Sequence, residues 1–119
     1  MSEMIFFDTY ALFEITKGNQ AYNRFENARG IITKFNIAEY NYAMKRDGYR
    51  DADARTRDVE PWVVEITPGL IMEAMSFRIK NKKLSIPDAI GYITAKHHQC
   101  KFLTGDQEFE KMENVEFVK

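Results

Sequence analysis

The chain has very little cysteine: Cys100 is the single cysteine among 119 residues. One cysteine excludes an internal disulfide and is typical of a protein that works in a reducing compartment. A secretory signal is not expected either, because the first apolar run, residues 4–7, is short and is followed at once by the acid Asp8. No apolar stretch reaches the length of a membrane span. We therefore expect a soluble, cytoplasmic protein with no membrane partner.

An excess of charge of one sign is also missing. The 17 Lys and Arg residues nearly balance the 18 Asp and Glu residues, for a formal net charge of -1. This balance gives no support to a general polyanion-coating role, so any contact with nucleic acid must come from a local site. Hydrophobic residues make up 45% and charged residues 29% of the chain, which argues against disorder. No linker, repeat or low-complexity tract divides residues 1–119, and we expect them to form one domain.

Short runs rich in β-branched and aromatic residues recur along the chain. They are MIFF (4–7), GIIT (30–33), WVVEI (62–66), KFLT (101–104) and VEFV (115–118). Each run has the length of a strand, and longer stretches with helical spacing separate most of them. This alternation predicts βαβ units. The expected fold is therefore α/β, with three α/β/α layers around a central, mostly parallel sheet of four or five strands.

Two helix starts carry capping signals. Thr67 is an N-cap residue directly followed by Pro68, which suits the first helical position. Ser85, with Asp88 three residues later, is close to a capping box. The highly charged residues 50–60 contain acid–base pairs four residues apart and are interpreted as a solvated helix.

Two acids follow predicted strands that lie far apart in the sequence. Asp8 comes directly after the first run, and Asp106 comes two residues after Thr104, where the fourth run ends. If both strands are parallel, both acids lie beyond carboxyl ends, at the edge where open α/β sheets bind ligands. Each acid also has a simpler interpretation, since Asp8 could cap a helix and Asp106 could be a turn residue.

Two further acids lie in predicted helices. Glu39 has Phe35 and Tyr42 at helical spacing, so its carboxylate is expected on an apolar face, where an unpaired charge is costly. Asp88 opens another helix, and Gly91 on the same stripe leaves room for a group to pack beside the acid. The simpler interpretations are that Glu39 lies at the rim of a core and that Asp88 completes its capping box.

Four carboxylates in one cleft would repel one another. Two carboxylates about 5 Å apart at a dielectric near 20 repel by about 3 kcal/mol, and several such pairs are large against the roughly 5–15 kcal/mol stability of a small domain. Either some acids are protonated or divalent cations neutralise them. An all-oxygen site suits Mg²⁺ or Mn²⁺ rather than zinc. No Cys/His cluster offers a zinc site, because the adjacent His97 and His98 do not share a helix face.

The acids stand in a recognisable order with particular neighbours. After the first strand, Asp8 is followed by the hydroxyl residue Thr9. In an early helix, Glu39 is preceded by Thr33 and Asn36. Each of these two patterns is weak when it stands alone.

The order continues in the second half of the chain. Asp88 opens a D-A-x-x-x-x-x-A segment that ends at Ala95, and Thr104 begins the T-x-D-x-x-F segment that contains Asp106 and ends at Phe109. With all four elements in order over nearly the whole chain, the sequence resembles the PIN-domain nucleases. In size it looks like the VapC-type toxins and their small stand-alone relatives.

The resemblance implies a PIN-like fold and a hydrolase that acts on phosphodiester bonds. The implied reaction is endonucleolytic cleavage of RNA by metal-activated water, with Mg²⁺ or Mn²⁺ as cofactor. The metal ligands and catalytic acids carried over by the resemblance are Asp8, Glu39, Asp88 and Asp106. Thr104 joins them as a catalytic residue that orients a carboxylate or a water through its hydroxyl group. Whether one or two ions bind stays open.

The resemblance also implies partners other than RNA. We expect the toxin component of a toxin–antitoxin pair, a cognate antitoxin protein, and a homodimer. The aromatic residues Tyr40 and Tyr42, on the helix that carries Glu39, are interpreted first as core residues and second as a surface for a dimer partner or antitoxin.

Other phosphate-handling α/β folds fit less well. A dehalogenase-type phosphatase needs D-x-D after its first strand, and Asp8-Thr9-Tyr10 lacks the second acid. A response-regulator receiver needs an acceptor aspartate after its third strand, where this chain has Thr67-Pro68. The main alternative is a catalytically inert PIN-like module that binds RNA or protein, and the four intact acids count against it.

Overall fold

The computed structural model describes residues 3–119, and within them four strands form a parallel sheet. The strands are β1 (Met4–Phe7), β2 (Arg29–Ile31), β3 (Lys101–Thr104) and β4 (Val115–Phe117). Their order across the sheet is β2-β1-β3-β4, and each neighbouring pair is parallel. The carboxyl ends of all the strands therefore lie at one edge. Residues 1 and 2 lie outside the described range. They begin the domain predicted for residues 1–119 and the amino-terminal segment that was considered above as a secretory signal.

Helices fill most of the connections between the strands. They are α1 (Thr9–Thr16), α2 (Lys34–Arg46), α3 (Ala52–Val59), α4 (Pro68–Lys80) and α5 (Ile86–His97). Shorter 3₁₀ turns occupy Gln20–Phe25, Glu60–Trp62 and Gln107–Phe109. None of the helices in residues 3–119 is both long and apolar enough to span a bilayer.

The sheet separates two hydrophobic cores. Phe6 of β1 and Phe102 of β3 stack with their ring centroids 5.3 Å apart and pack against α4 and α5. The alternate strand residues Ile5, Phe7 and Leu103 face the other side, where α1 and α2 cover them. Successive side chains on a strand point to opposite faces, so apolar strands of this kind must be covered on both sides. The predicted three-layer α/β/α fold is confirmed.

The predicted strand at residues 62–66 is wrong. Glu60–Trp62 forms a 3₁₀ turn instead, and Val63 makes only an isolated parallel bridge with Ile32. The neighbouring segment explains this difference, because Ile32 bonds to Trp62 and Val64 but the next residue, Thr33, is already the N-cap of α2 and leaves no further strand to pair with. The sheet of the described residues therefore has four strands, the lower of the two numbers expected.

The predicted helix starts agree with the structure. The Thr67 hydroxyl accepts a hydrogen bond from the Leu70 N–H at 3.2 Å, at the start of α4. At the start of α5 the Ser85 hydroxyl accepts from the Asp88 N–H at 3.1 Å, while Asp88 Oδ2 accepts from the Ser85 N–H at 3.0 Å. These reciprocal bonds satisfy N–H groups that a helix otherwise leaves unpaired.

The second predicted strand, residues 30–33, ends earlier than expected. The strand β2 stops at Ile31, and Thr33 becomes the N-cap of α2. Its N–H donates to Asn36 Oδ1 at 2.9 Å. Local capping by Asn36 therefore takes the last residue of the apolar run into the helix start.

The connection after β3 passes through a glycine that has no space for a side chain. A Cβ atom on Gly105 would collide with the ring of Tyr10 and with the carbonyl oxygen of Val118. Val118 is fixed in place, because its N–H donates to the Thr104 carbonyl at 2.9 Å and its own carbonyl accepts from the Tyr22 hydroxyl. The glycine before Asp106 is thus required by close backbone packing.

We expect Gly105→Ala to lower the free energy of unfolding by about 1–3 kcal/mol, since the new methyl group must displace a fixed carbonyl. Gly69→Ala in α4 is the matched control, because the nearest atom to its added Cβ, at 3.8 Å, is the Thr67 hydroxyl oxygen. Urea denaturation measures both variants. Equal stability of the two would contradict the packing argument.

Candidate functional site

A cleft of about 400 Å³ opens beyond the carboxyl ends of the central strands. The acids singled out from the sequence all line it: Asp8, Glu39, Asp88 and Asp106. One follows β1 and another follows β3, while the other two come from α2 and α5, which lie on opposite faces of the sheet. The parallel topology therefore brings together side chains that are up to about a hundred positions apart.

Asp8 is the deepest of these acids, with only 6% of its surface exposed. Its Oδ2 accepts a hydrogen bond from the Thr104 hydroxyl at 2.7 Å, and its N–H donates to the Leu103 carbonyl at 3.0 Å. Although Asp8 occupies the N-cap position of α1, its side chain makes no capping bond. The simple interpretation of Asp8 as a helix cap is therefore wrong.

The charge of Asp8 has no cationic partner in residues 3–119. Burial raises the pKa of this carboxyl from 3.8 to about 7, and the nearby charges of Asp88 and Glu39 add to that effect. The bond from Thr104 acts in the opposite direction and favours the ionised form. Near neutral pH, the site therefore holds an acid that either keeps its proton or takes up a cation.

Glu39 is held by hydroxyl and amide residues that accompany the acids in the sequence. The Thr9 hydroxyl donates to Glu39 Oε1 at 2.8 Å, and Asn36 Nδ2 donates to the Thr9 hydroxyl at 3.1 Å. Asn36 is itself tied to the start of α2 through Thr33. Burial is the main cause that raises the pKa of Glu39, and the charge of Asp88 contributes. The hydroxyl and amide groups thus fix the carboxylate at the cleft.

Thr104 connects the two acids that follow strands. Its hydroxyl donates to Asp8 Oδ2 and accepts from the Asp106 N–H at 3.0 Å. Asp106 Oδ1 in turn accepts from the Glu108 N–H at 3.0 Å, which is the turn chemistry considered above. A turn bond and a place in the cleft are therefore compatible for Asp106.

Asp88 likewise combines two positions. It completes the capping box with Ser85 and also lines the cleft. Burial raises the pKa of Asp88 most, although its bonds to Ser85 act in the opposite direction, and the charges of Asp106 and Glu108 raise it further. The carboxylates therefore influence one another although each has a local hydrogen-bond partner.

The aromatic residues of α2 differ in burial. Tyr40 is buried in the core, as first interpreted, but Tyr42 is 67% exposed, so its assignment to the core is wrong. Phe35, the other apolar neighbour expected around Glu39, is also exposed, so the apolar face around Glu39 is not part of the core. Tyr42 and Arg46 line the cleft together with Tyr10. Tyr42 and Arg46 follow Glu39 by three and seven residues on α2, and this helical spacing is the sequence signal that could have identified both.

The residues around the cleft fit a hard divalent cation in their chemistry. The donors are carboxylate and hydroxyl oxygens, which Mg²⁺ and Mn²⁺ prefer, and a cation would remove the mutual repulsion of the acids. Within residues 3–119, however, no three His, Cys, Asp or Glu side chains already converge on one point. The carboxylates of the described residues would therefore have to move closer together before three of them could share one ion.

Comparison with known proteins identifies a family model and solved structures that match this chain. The PIN domain family model matches residues 5–115 of the chain. A solved toxin–antitoxin complex from Klebsiella pneumoniae contains a chain with a TM-score of 0.77 and 22% identity, covering 94% of this chain and 95% of that chain. No protein with a curated description matches the sequence.

Two further solved structures have similar folds. A protein from Pyrobaculum aerophilum has a TM-score of 0.71 and 20% identity, covering 99% of this chain and 92% of that chain. VapBC2 from Rickettsia felis, bound to a DNA fragment from its promoter, has a TM-score of 0.69 and 14% identity, covering 97% of each chain. At these identities the likeness shows the fold.

The raised pKa of Asp8 predicts how stability depends on pH. The folded state binds this proton more tightly than the unfolded state, so the stabilisation is complete below about pH 4 and is lost as the pH rises through about 7. In metal-free buffer, we expect the free energy of unfolding to fall by up to about 4 kcal/mol over this range because of Asp8. Asp8→Asn should flatten the decline in urea denaturation.

The control for this experiment is Asp58→Asn, which changes an exposed acid on α3 that lies outside the cleft. This variant should keep the wild-type dependence on pH. An Asp8→Asn protein that declines as steeply as the wild type would show that Asp8 has an ordinary pKa.

Proposed function

The chain belongs to the PIN domain family, and from this premise we propose that it is a Mg²⁺- or Mn²⁺-dependent endoribonuclease. The observation that carries the proposal is the buried Asp8 carboxylate, which has three other acids around the same cleft and no cationic partner in the described residues. A bound divalent cation would compensate the negative charge of these carboxylates. RNA as the substrate is supported by the four-motif resemblance described above.

The roles follow from what each side chain contacts. In the proposal, Asp8, Glu39, Asp88 and Asp106 hold the cation. When bound, it would supply positive charge at the scissile phosphate and lower the pKa of a water molecule. Thr104 keeps the Asp8 carboxylate directed at the cleft, and Thr9 does the same for Glu39.

An acidic cleft can bind a polyanion only if its potential is reversed. Four carboxylates would repel the phosphates of RNA, but a bound divalent ion changes the local sign of the charge. Arg46, at the rim, adds a positive charge of the protein's own. In this proposal, RNA and metal therefore bind together more tightly than either does alone.

The proposed biological setting is the toxin half of a toxin–antitoxin pair, acting in the cytoplasm with a cognate antitoxin. Two of the similar solved structures support the pairing, because one is a toxin–antitoxin complex and the other is VapBC2. The single, buried cysteine is consistent with a reducing compartment.

A homodimer is part of the same proposal, and an apolar face on α4 supports it. Met72 and Ile79 lie seven residues apart on this helix and are 66% and 70% exposed. Ile86, at the start of α5, is also exposed. Exposed apolar residues in a stripe, in contrast to scattered ones, are typical of an interface.

One observation favours a second candidate, an inert PIN-like module that binds RNA or protein. The acids of residues 3–119 do not already converge on one point, so a metal would have to reorganise them. Metal binding and cleavage therefore have to be measured separately.

The first test of function compares Asp8→Asn and Asp106→Asn with the wild type, purified in parallel. We expect each change to reduce Mg²⁺- or Mn²⁺-dependent cleavage of RNA by at least about 100-fold, because it removes a charged ligand while the fold remains. Asp58→Asn is the control that should cleave like the wild type. Equal cleavage by all the proteins would mean that the activity comes from elsewhere.

The same proteins should differ in thermal unfolding. A divalent ion that binds only the folded state raises the melting temperature, so millimolar Mn²⁺ should stabilise the wild type and Asp58→Asn. Asp8→Asn and Asp106→Asn should respond less. Wild-type protein whose melting temperature does not change with Mn²⁺ would favour the inert module.

The proposed dimer predicts that Met72→Glu combined with Ile79→Glu gives a monomer, since two charges would then be buried at the interface. Sedimentation velocity measures the change in mass. Ile15→Glu, which alters an exposed apolar residue on α1, should leave the dimer intact. A wild-type protein that sediments as a monomer throughout would exclude the α4 interface.

A further inference from the structure

A cluster of positive charge lies in the connection between α4 and α5. Lys80 ends α4, and Lys82 and Lys83 follow it within the segment 80–83, here called the basic turn. All three side chains are exposed, and none of them takes part in an ion pair within residues 3–119. Lys45, by contrast, pairs with an acid of α3. The basic turn is therefore a local excess of positive charge in a chain whose total charge is nearly balanced.

Helix electrostatics accounts for only one of these charges. Lys80 lies at the carboxyl end of α4, where a cation is favourable. Lys82 and Lys83 come after that helix and shortly before Ser85, the N-cap of α5, where the helix dipole disfavours positive charge. Neither lysine lies in a helical turn that its charge would stabilise. Their charges therefore call for an explanation other than the stability of the helices.

Hydrogen bonds and a buried leucine fix the backbone of the basic turn. The Asn81 side chain donates to the Phe77 carbonyl at 2.9 Å, and the Leu84 N–H donates to the Asn81 carbonyl at 3.1 Å. Arg78 Nε donates to the Leu84 carbonyl at 2.8 Å, and Leu84 itself is buried in the core. The ammonium groups are thus carried by a fixed backbone, which lowers the cost of ordering the site when an anion binds.

The basic turn lies beside the acidic cleft. Its lysines line a cavity of about 320 Å³ together with Glu108, whose N–H donates to Asp106 Oδ1 at 3.0 Å. On the same side, Asp88 Oδ2 accepts from the N–H of Ser85, two residues after Lys83. The lysines outnumber the glutamate in the cavity, whereas acids outnumber the cation that lines the cleft. Two surfaces of opposite charge therefore share a boundary.

We propose that the basic turn binds consecutive backbone phosphates of a nucleic-acid strand outside the acidic cleft, without the help of a metal ion. The inference deepens the proposed function and rests on it for the identity of the strand as RNA. A lysine ammonium group is a compact point charge that suits phosphate oxygens. Phosphate contacts position a strand but carry no information about its bases. The basic turn would therefore add affinity and orientation, and no sequence preference.

The position of the basic turn suits a strand that passes through the cleft. In the proposed function one phosphate lies at the bound cation, so the next phosphates along the strand must lie at the rim. Carboxylates repel these phosphates wherever the metal does not compensate them. The Cα atom of Lys83 lies within about 8 Å of that of Ser85, because consecutive Cα atoms are about 3.8 Å apart. Attraction therefore begins close to the Asp88 side of the cleft.

The experiment measures binding of a labelled single-stranded RNA in EDTA, where neither metal nor cleavage contributes. Fluorescence anisotropy gives the Kd between about 50 and 200 mM NaCl. We expect the combination of Lys80→Gln, Lys82→Gln and Lys83→Gln to weaken binding by about 10-fold or more at the lower salt concentration. The slope of log Kd against log salt should fall by about 2, because each phosphate contact on a single strand contributes about 0.7.

A matched control removes the same number of charges from the opposite edge of the sheet. It combines Arg29→Gln, Lys96→Gln and Lys101→Gln, three exposed residues where β2 and β3 begin and α5 ends. This protein should keep the wild-type Kd and salt slope. The basic-turn variant should unfold at the same urea concentration as the wild type, because its lysines make no ion pair within residues 3–119. Selective loss of RNA binding with normal folding supports the site.

The inference is overturned if the two triple variants bind RNA equally well, or if the wild type does not bind RNA in EDTA. A wild type that binds poly-glutamate but not RNA would assign the basic turn to an acidic protein segment instead. The outcome is separate from cleavage. Selective loss of binding in the basic-turn variant, with no Mn²⁺-dependent cleavage by the wild type, would retain the phosphate site and reject the nuclease. Cleavage by the wild type with equal binding by both variants would do the reverse.

Discussion

A buried carboxylate without a cationic partner is the constraint on which the rest of the site depends. Asp8 is directed at the cleft by the Thr104 hydroxyl, and the acids nearby make its charge still less favourable. An isolated group in this position would ordinarily be replaced by an apolar residue, because burying an unpaired charge lowers stability. Its presence is understandable if the fold exists to bind a cation. The proposed activity follows from this unfavourable local arrangement.

The fold produces the arrangement through strand direction. Because β1 and β3 are parallel neighbours, Asp8 and Thr104 emerge at the same edge, and Thr104 then links to the Asp106 backbone. The helices on the two faces contribute Glu39 and Asp88 to the same edge. Gly105, between Thr104 and Asp106, packs closely against Tyr10 and the Val118 carbonyl. Stability of the sheet and geometry of the cleft are therefore coupled, so changes in packing near β3 should also affect the site.

The features predicted from the sequence are those governed by local rules. The strand-length apolar runs and the helical spacing between them were sufficient to predict the three layers. The residue types of Ser85 and Asp88 alone predicted the capping box of α5. The positions of Asp8 and Asp106 at one edge followed from parallel strands. Features that depend on tertiary contacts could not be predicted. They include the loss of the strand at residues 62–66, the bond from Thr9 to Glu39 and the exposure of Tyr42.

The central claim is that Asp8 is an acid whose charge the protein alone does not compensate. Carbon-13 NMR titration of its side-chain carboxyl tests this claim directly, first in metal-free buffer and then with Mg²⁺. The account predicts a pKa of about 7 without metal, caused mainly by burial. It also predicts a clear decrease in that pKa when Mg²⁺ is added, because a nearby cation favours the ionised form. An inflection near 3.8, the ordinary value, in both buffers would contradict the account.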